Sequence, residues 1–141
     1  MNILVTGASG FVGSHVVEVL DELGIRTTLL AGREPNPRRL DGRFPDQRRF
    51  TVDLNDQLSV REIVREARPT TCIHTAWFAS PGEYLSSHQN IGMVSATVNL
   101  AIELAEVGCD RLVSVGSVFE YDMSYGFLSE DKTPIVPSSA Y

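Results

Sequence analysis

A glycine-rich run near the amino terminus constrains the fold of this chain more than any other feature. The run Thr6-Gly7-Ala8-Ser9-Gly10-Phe11-Val12-Gly13 joins the apolar segment Ile3-Leu4-Val5 to a segment of helical periodicity, 11–23. Because its first two glycines have no side chains, the turn can bring backbone N–H groups at the positive end of a helix against a pyrophosphate. The third glycine lets the helix lie close to the strand. The sequence therefore predicts a phosphate-binding turn, with glycines spaced three and three instead of the shorter first gap of the commonest dinucleotide fingerprint.

Short β-branched and aliphatic segments alternate with segments of helical periodicity. The predicted strands are 3–5, 26–30, 49–52, 71–74 and 111–115, and the predicted helices are 11–23, 58–67 and about 84–107. This alternation predicts a doubly wound, Rossmann-like parallel sheet with helices on both faces and ligands at the carboxyl ends of the strands. Residues 33–48, which contain three prolines and several arginines, break the pattern and are predicted to form a surface loop.

Composition excludes several classes of function. The 141 residues, 43% of them hydrophobic, suffice for one core, and we expect a single domain over 1–141. The formal net charge of −6 argues against a nucleic-acid-binding protein, since such domains present a basic surface. Cys72 and Cys109 give neither a disulfide framework nor a metal-ligand spacing, so free thiols are expected and no metal site is predicted. With no secretory or membrane signal in the sequence, we expect a cytoplasmic protein with a small-molecule partner.

The end of the second predicted strand determines how the ribose of a dinucleotide is recognised. An acidic residue there would accept hydrogen bonds from a free 2′-hydroxyl, but this sequence has Leu30-Ala31-Gly32-Arg33. Arg33 suits a 2′-phosphate through charge-assisted contacts, so NADP(H) is favoured, with NAD(H) as the alternative. The competing interpretation is that Arg33 is one solvated arginine of a basic loop with Arg38, Arg39 and Arg43.

Three further residues follow predicted strands or lie near the end of the sequence. Asp53 follows the third strand, where its carboxylate can accept a hydrogen bond from an adenine amino group or cap the helix that begins near Asp56. Ser117 follows the fifth strand, where its hydroxyl can point into the ligand crevice or cap a turn. Tyr141 follows Ser117 by 24 residues and lies in the segment Pro137-Ser138-Ser139-Ala140-Tyr141.

Together these motifs resemble those of the extended short-chain dehydrogenase/reductases, in the NAD(P)-dependent group of nucleotide-sugar epimerases, dehydratases and ketoreductases. The resemblance covers nearly the whole chain and corresponds to the amino-terminal part of such an enzyme. The family's Thr-Gly-x-x-Gly-Phe-x-Gly turn matches residues 6–13, its adenine-contacting Asp-Leu pair matches Asp53-Leu54, and its cofactor-lining His-x-Ala-Ala segment is similar to His74-Thr75-Ala76-Trp77. The cofactor-binding residues thus implied are Gly7, Ser9, Gly10, Phe11, Val12, Gly13, Arg33, Asp53, Leu54, Thr75, Ala76 and Trp77.

The resemblance also implies catalytic roles, since the family's catalytic serine maps onto Ser117 and the tyrosine of its Tyr-x-x-x-Lys motif onto Tyr141. The implied chemistry is hydride transfer between nicotinamide C4 and a sugar carbon, with the serine holding the substrate oxygen and the tyrosine exchanging its proton. A phenol, with a pKa of about 10, needs a cationic neighbour to act near neutral pH. The family's lysine would come four residues after Tyr141, and its sugar pocket lies in a carboxyl-terminal part. We therefore expect weak cofactor binding at most, and no substantial turnover, from these residues alone.

The sequence departs from the family pattern at two further positions. The last small residue of the His-x-Ala-Ala segment is Trp77 here. The asparagine of the family's fourth helix would fall near Met93, and the nearest asparagine is Asn90, one turn earlier. Asn90 either replaces that residue or is an ordinary solvated polar residue.

The favoured activity is that of a nucleotide-sugar 4-ketoreductase, because the loop 77–84 is similar to that of ketoreductases acting on deoxysugar nucleotides. An epimerase or a 4,6-dehydratase is the alternative within the family. A non-catalytic NADP(H)-sensing module is the alternative from another class, although a sensor has no need of Ser117 and Tyr141 at the family's spacing. The resemblance further implies a nucleotide-sugar substrate and a homodimer formed through the long fourth helix.

Overall fold

The computed structural model of the chain describes residues 1–32, 37–40 and 42–141. Within these residues the strands are β1 (Ile3–Thr6), β2 (Thr27–Ala31), β3 (Arg48–Thr51), β4 (Thr71–His74) and β5 (Arg111–Ser114). The α-helices are α1 (Phe11–Glu22), α2 (Pro37–Leu40), α3 (Gln57–Ala67) and α4 (Gln89–Glu106), and short 3-10 helices follow at Val118–Glu120 and Met123–Tyr125.

The strands form one parallel sheet in the order β3-β2-β1-β4-β5. The central strand β1 pairs with β2 on one side and with β4 on the other, so that Val5 lies between Leu29 and Ile73. The strand order reverses at the β1/β4 boundary, which is where open α/β sheets leave a crevice for ligands. The predicted doubly wound, Rossmann-like fold is confirmed.

Helices cover the two faces of the sheet and produce two hydrophobic layers. Successive residues of a strand point to opposite faces. Val5 therefore packs in the layer that contains Val17 of α1, while Leu4 packs in the layer that contains Val64 of α3 and Leu100 of α4. Leu4 and Val5 are completely buried, so the carboxyl end of β1 is a rigid base for the turn that follows.

The prediction of a surface loop over 33–48 is wrong in part: among the described residues of that segment, 42–47 do lack helix and strand and are mostly exposed, but 37–40 form α2. Leu40, in α2, and Phe44 are each only 4% exposed and belong to the core layer beneath α1. Gln47, in the same segment 33–48, is hydrogen-bonded to β2. Its Oε1 accepts hydrogen bonds from the Thr27 backbone N–H at 2.7 Å and from the Thr27 hydroxyl at 2.8 Å. Arg33 lies outside the described residues.

The predicted helix of about 84–107 begins later than its apolar pattern indicates, at Gln89 instead of about 84. Residues 81–86 form turns, and Gly82 has a φ of +84°, a left-handed conformation that α-helices do not contain. Among the described residues, no helix has both the length and the hydropathy needed to cross a membrane.

Both cysteines are free thiols, as predicted. Burial, with a smaller contribution from Cys109, raises the pKa of the Cys72 thiol to about 12. Because the thiolate is the nucleophile, Cys72 is chemically inert near neutral pH and acts as a small core residue.

Candidate active site

The turn between β1 and α1 leaves no space for side chains at its glycines. Gly7 has a φ of +67°, and a Cβ at this position would lie 2.7 Å from the Ala76 backbone nitrogen. A Cβ on Gly13 would lie 2.2 Å from the Gly7 carbonyl oxygen and 2.8 Å from Thr75 Oγ1. Gly10 is the N-cap of α1 and brings no side chain to the first helical N–H groups, which therefore remain for an anion. This close-packed turn fits the pyrophosphate of a dinucleotide.

The carboxyl ends of β1, β2 and β4 border a cleft of about 470 Å³. The glycine turn and the ends of these strands form its walls, with Ala31 and Gly32 at the end of β2. Eight of the predicted cofactor-binding residues line it: Gly7, Ser9, Gly10, Asp53, Leu54, Thr75, Ala76 and Trp77.

A second cleft, of about 520 Å³, adjoins the first and shares Gly10, Thr75 and Trp77 with it. It is lined by Phe11, Val12 and Gly13 on one side and by Ser117, Glu120 and Tyr141 on the other. The two clefts form one groove along the carboxyl edge of the sheet, with Asp53 at one end and the Ser117 and Tyr141 pair at the other. The structure thus brings every predicted site residue that it describes to this groove.

Hydrogen bonds between β1 and β4 fix the middle of the groove. The Thr6 carbonyl accepts hydrogen bonds from the Thr75 backbone N–H at 3.2 Å and from the Thr75 hydroxyl at 2.7 Å. His74, only 2% exposed, has Nδ1 2.6 Å from Thr6 Oγ1 and Nε2 2.9 Å from Thr97 Oγ1 of α4. Burial lowers the pKa of His74, so the imidazole is neutral near neutral pH. His74 therefore links β1, β4 and α4 and does not act as an acid in the groove.

At the Asp53 end of the groove, the cap of α3 is Asp56, which accepts a hydrogen bond from the Ser59 backbone N–H at 3.2 Å. Asp53 is oriented by Asn55 instead. Its Oδ1 accepts hydrogen bonds from the Asn55 backbone N–H and from the Asn55 side-chain amide, both at 3.0 Å. The interpretation of Asp53 as the helix cap is therefore wrong, and Asp53 is a lining residue of the groove.

Ser117 both caps a turn and lines the groove. Its Oγ accepts a hydrogen bond from the Phe119 backbone N–H at 3.2 Å and so begins the 3-10 helix Val118–Glu120. The chain then folds back on itself, because Tyr121 pairs antiparallel with Ile135 and the Val136 N–H donates to the Glu120 carbonyl at 2.8 Å. This return brings the following residues back toward the groove.

Tyr141 packs against three aromatic rings at the end of that return. Its ring centroid lies 4.7 Å from that of Tyr84, 6.4 Å from that of Trp77 and 6.5 Å from that of Phe119. We call these four residues the aromatic cluster. Edge-on and tilted contacts of this kind are favourable beyond the apolar area they bury, so the cluster fixes one wall of the groove.

Asn90 is hydrogen-bonded to two residues of the aromatic cluster. It is only 1% exposed, its Oδ1 accepts a hydrogen bond from the Trp77 indole N–H at 3.0 Å, and its Nδ2 donates to the Tyr84 carbonyl at 2.6 Å. The interpretation of Asn90 as a solvated residue is therefore wrong. The available sequence signal was the pair of departures from the family pattern, a bulky Trp77 and an asparagine displaced by one helical turn, which turn out to be hydrogen-bonded to each other.

Comparison with known proteins gives a match to the NAD dependent epimerase/dehydratase family model over residues 3–141. UDP-glucose 4-epimerase 2 of Arabidopsis thaliana is 28% identical over 151 residues, covering 99% of this chain and 43% of that protein. The solved structure of the Thermus thermophilus UDP-glucose 4-epimerase in complex with NAD has a TM-score of 0.85 at 29% identity, covering 100% of this chain and 46% of that one.

A third protein, the UDP-Glc/GlcNAc 4-epimerase of Campylobacter jejuni, has a TM-score of 0.88 and covers 99% of this chain and 44% of that one. At 18% identity, this likeness concerns the fold alone. The chain thus spans less than half the length of each of these three proteins.

Proposed function

The chain belongs to the NAD-dependent epimerase/dehydratase family, and we propose that it forms the cofactor-binding portion of an oxidoreductase that acts on a nucleotide sugar by hydride transfer. The observation that carries this proposal is the continuous groove, which has a close-packed phosphate turn in its middle, Asp53 at one end and Ser117 with Tyr141 at the other. The adenine, the pyrophosphate and the nicotinamide of a dinucleotide follow one another in the same order as Asp53, the turn and the Ser117 and Tyr141 pair.

In the proposed mechanism the glycine turn and the N-terminus of α1 bind the pyrophosphate, and the Asp53 carboxylate accepts a hydrogen bond from the adenine amino group. When bound, the cofactor supplies or accepts the hydride. The Ser117 hydroxyl orients the oxygen of the reacting sugar carbon and stabilises charge that develops there. The Tyr141 hydroxyl donates a proton to that oxygen or removes one from it.

For the reaction itself, we propose reduction of a 4-keto sugar, supported by the similarity of loop 77–84 to that of ketoreductases. Trp77 and Tyr84 of this loop belong to the aromatic cluster beside Tyr141, where a sugar would bind. The second candidate is 4-epimerisation, supported by the names of the curated relatives. An epimerase returns its cofactor to the starting redox state in each cycle, whereas a ketoreductase consumes the reduced cofactor.

We propose NADP(H) as the preferred cofactor. Ala31 and Gly32, at the end of β2, line the groove where a carboxylate would recognise a free 2′-hydroxyl. The NAD in the Thermus thermophilus complex shows what that protein binds and makes NAD(H) the alternative here. The role of Arg33 stays a prediction from the sequence, and a cytoplasmic location is proposed from the two free thiols.

The cofactor proposal predicts saturable binding of NADPH and NADH that can be followed through Trp77. This residue is the one tryptophan of the sequence and lines both halves of the groove, so a bound nicotinamide should change its fluorescence. NADPH should bind more tightly, and Arg33→Ala should weaken NADPH binding about tenfold while leaving NADH unchanged. Absence of saturable binding for either dinucleotide would overturn the proposed function. Equal affinities for both in both proteins would remove Arg33 from the site.

We expect the 141 residues to show negligible oxidation of NADPH with a 4-keto nucleotide sugar, because they span less than half of relatives whose names describe action on UDP-sugars. The assay is the absorbance of the reduced nicotinamide over time. Turnover at ordinary enzyme rates would contradict this expectation and would leave the cofactor proposal intact.

We also propose a homodimer formed through α4. One side of this helix carries Ile91, Val94, Val98 and Ile102, which are between 44% and 64% exposed and are spaced three or four residues apart. A contiguous exposed apolar face marks an interaction surface. In a two-fold dimer each copy presents the same surface to the other, so a stripe along a single helix can pair with itself.

The dimer proposal predicts twice the 15.5 kDa chain mass in sedimentation equilibrium. Val98→Asp, which puts a charge in the middle of the α4 stripe, should give a monomer because it would bury an unpaired carboxylate. The matched control is Val19→Asp, which changes an equally exposed valine of α1 and should remain dimeric. A monomeric unsubstituted chain, or equal dissociation by both substitutions, would refute pairing through α4.

A further inference from the structure

A second arginine approaches the phosphate-binding turn from the side of β2. Arg39, in α2, places Nη1 3.5 Å from the Ser9 carbonyl oxygen. Its guanidinium carbon lies 5.8 Å from the centroid of the Phe11 ring. Ser9 and Phe11 both line the groove. Because an arginine is always protonated in a protein, Arg39 brings a permanent positive charge to the rim of this groove.

The position of Arg39 is fixed by the packing of its neighbours in the hydrophobic core. Leu40, the next residue along α2, is buried in the core layer beneath α1 together with Phe44. The nearby Arg43 is already engaged, since it pairs with Glu18 and its guanidinium carbon lies 5.2 Å from the centroid of the Phe44 ring. Arg39 has no carboxylate partner in the part of the chain that the structure describes. Its guanidinium, which lies beside the Ser9 carbonyl and the Phe11 ring, therefore has no competing anion from those residues.

The surroundings indicate which anion Arg39 binds. The pyrophosphate takes the N-terminus of α1, and the adenine takes the Asp53 end, so the adenosine ribose lies between them, next to the end of β2. Ala31 and Gly32 leave space there and offer no acceptor for a 2′-hydroxyl. A phosphate on that hydroxyl fits both the space and the charge, because a guanidinium binds phosphate oxygens through parallel hydrogen bonds.

We propose that Arg39 binds the 2′-phosphate of NADP(H) and is a residue that determines the preference for NADP(H) over NAD(H). This inference rests on the proposed function, because it requires that the groove bind a dinucleotide. It does not require Arg33, since Arg39 reaches the turn from α2 by its own contacts.

The test compares two ligands that differ only in the phosphate, 2′-phospho-ADP-ribose and ADP-ribose, titrated calorimetrically into the 141-residue chain. Arg39→Gln should weaken binding of the phosphorylated ligand about tenfold and leave ADP-ribose unchanged, because it removes one charge-assisted contact. The matched control is Arg43→Gln, which removes an arginine of the same segment that is paired with Glu18. It should change neither affinity, and circular dichroism checks that both variants are folded.

Each other outcome overturns a defined part of the proposal. If Arg39→Gln weakens both ligands equally, Arg39 contacts the pyrophosphate and not the 2′-phosphate. If it changes neither while the unsubstituted chain binds both, Arg39 is not a cofactor residue, and the proposed function stands. If the unsubstituted chain binds neither ligand, the proposed function fails and this inference fails with it.

Discussion

Gly13→Ala is expected to destabilise the chain by about 3 kcal/mol or more, at the upper end of the cost of overpacking a protein interior. The added Cβ would lie 2.2 Å from the Gly7 carbonyl oxygen and 2.8 Å from Thr75 Oγ1. Neither neighbour can yield easily. The first is backbone in a turn with a φ of +67°, and the second donates a hydrogen bond to the Thr6 carbonyl at 2.7 Å. The measurements are urea unfolding by far-ultraviolet circular dichroism and dinucleotide binding, which should be lost.

The control is Gly92→Ala, the same change in the other α-helix that contains a glycine among the described residues. There the new Cβ would lie 3.1 Å from Asn55 Oδ1, the end of a side chain that can shift. Alanine also favours a helix over glycine by about 1 kcal/mol, so the net change should be within about 1 kcal/mol of zero. Equal unfolding free energies for Gly13→Ala and the unsubstituted chain would show that α1 does not lie as close to the turn as described.

The fold was predictable because its determinants are local. Strand β1 contains the continuous apolar run Ile3-Leu4-Val5, and the glycine run follows it at the position where the structure has a turn. The burial of Leu40 and Phe44 was not predictable in the same way. These two residues lie among prolines and arginines with no repeating apolar pattern, and only their contacts with the core beneath α1 determine where they lie.

The site was predictable where a residue type at the end of a strand implies its chemistry. It was not predictable where the position of a side chain depends on backbone geometry or on contacts between distant residues. Asp53 and Ser117 follow strands and do line the groove. The choice of Asp56 over Asp53 as the cap of α3 depends on backbone geometry that the sequence does not express. The proximity of Tyr141 to the groove depends on the antiparallel return between Tyr121 and Ile135, which no periodicity indicates.

Asn90→Leu is expected to destabilise the chain by about 3 kcal/mol, since each buried polar group left without its partner costs about 1–3 kcal/mol. Leucine has the same branched shape and the same number of side-chain heavy atoms, but it neither accepts a hydrogen bond from the Trp77 indole N–H nor donates one to the Tyr84 carbonyl. Because Trp77 is the one tryptophan of the sequence, its emission should shift to longer wavelength as the loop loosens. Unfolding in urea, followed by circular dichroism and by this emission, measures both effects.

The matched control is Asn99→Leu in the same helix, where the half-buried asparagine side chain has no hydrogen-bond partner in the described part of the chain. It should change the unfolding free energy by less than about 0.5 kcal/mol and leave the emission of Trp77 unaltered. If both asparagines gave the same small loss, the aromatic cluster would hold its place by ring packing alone. A large loss confined to Asn90 would instead mean that a single buried amide positions Trp77 and Tyr84, and through them the ring of Tyr141, at the proposed reacting end of the groove.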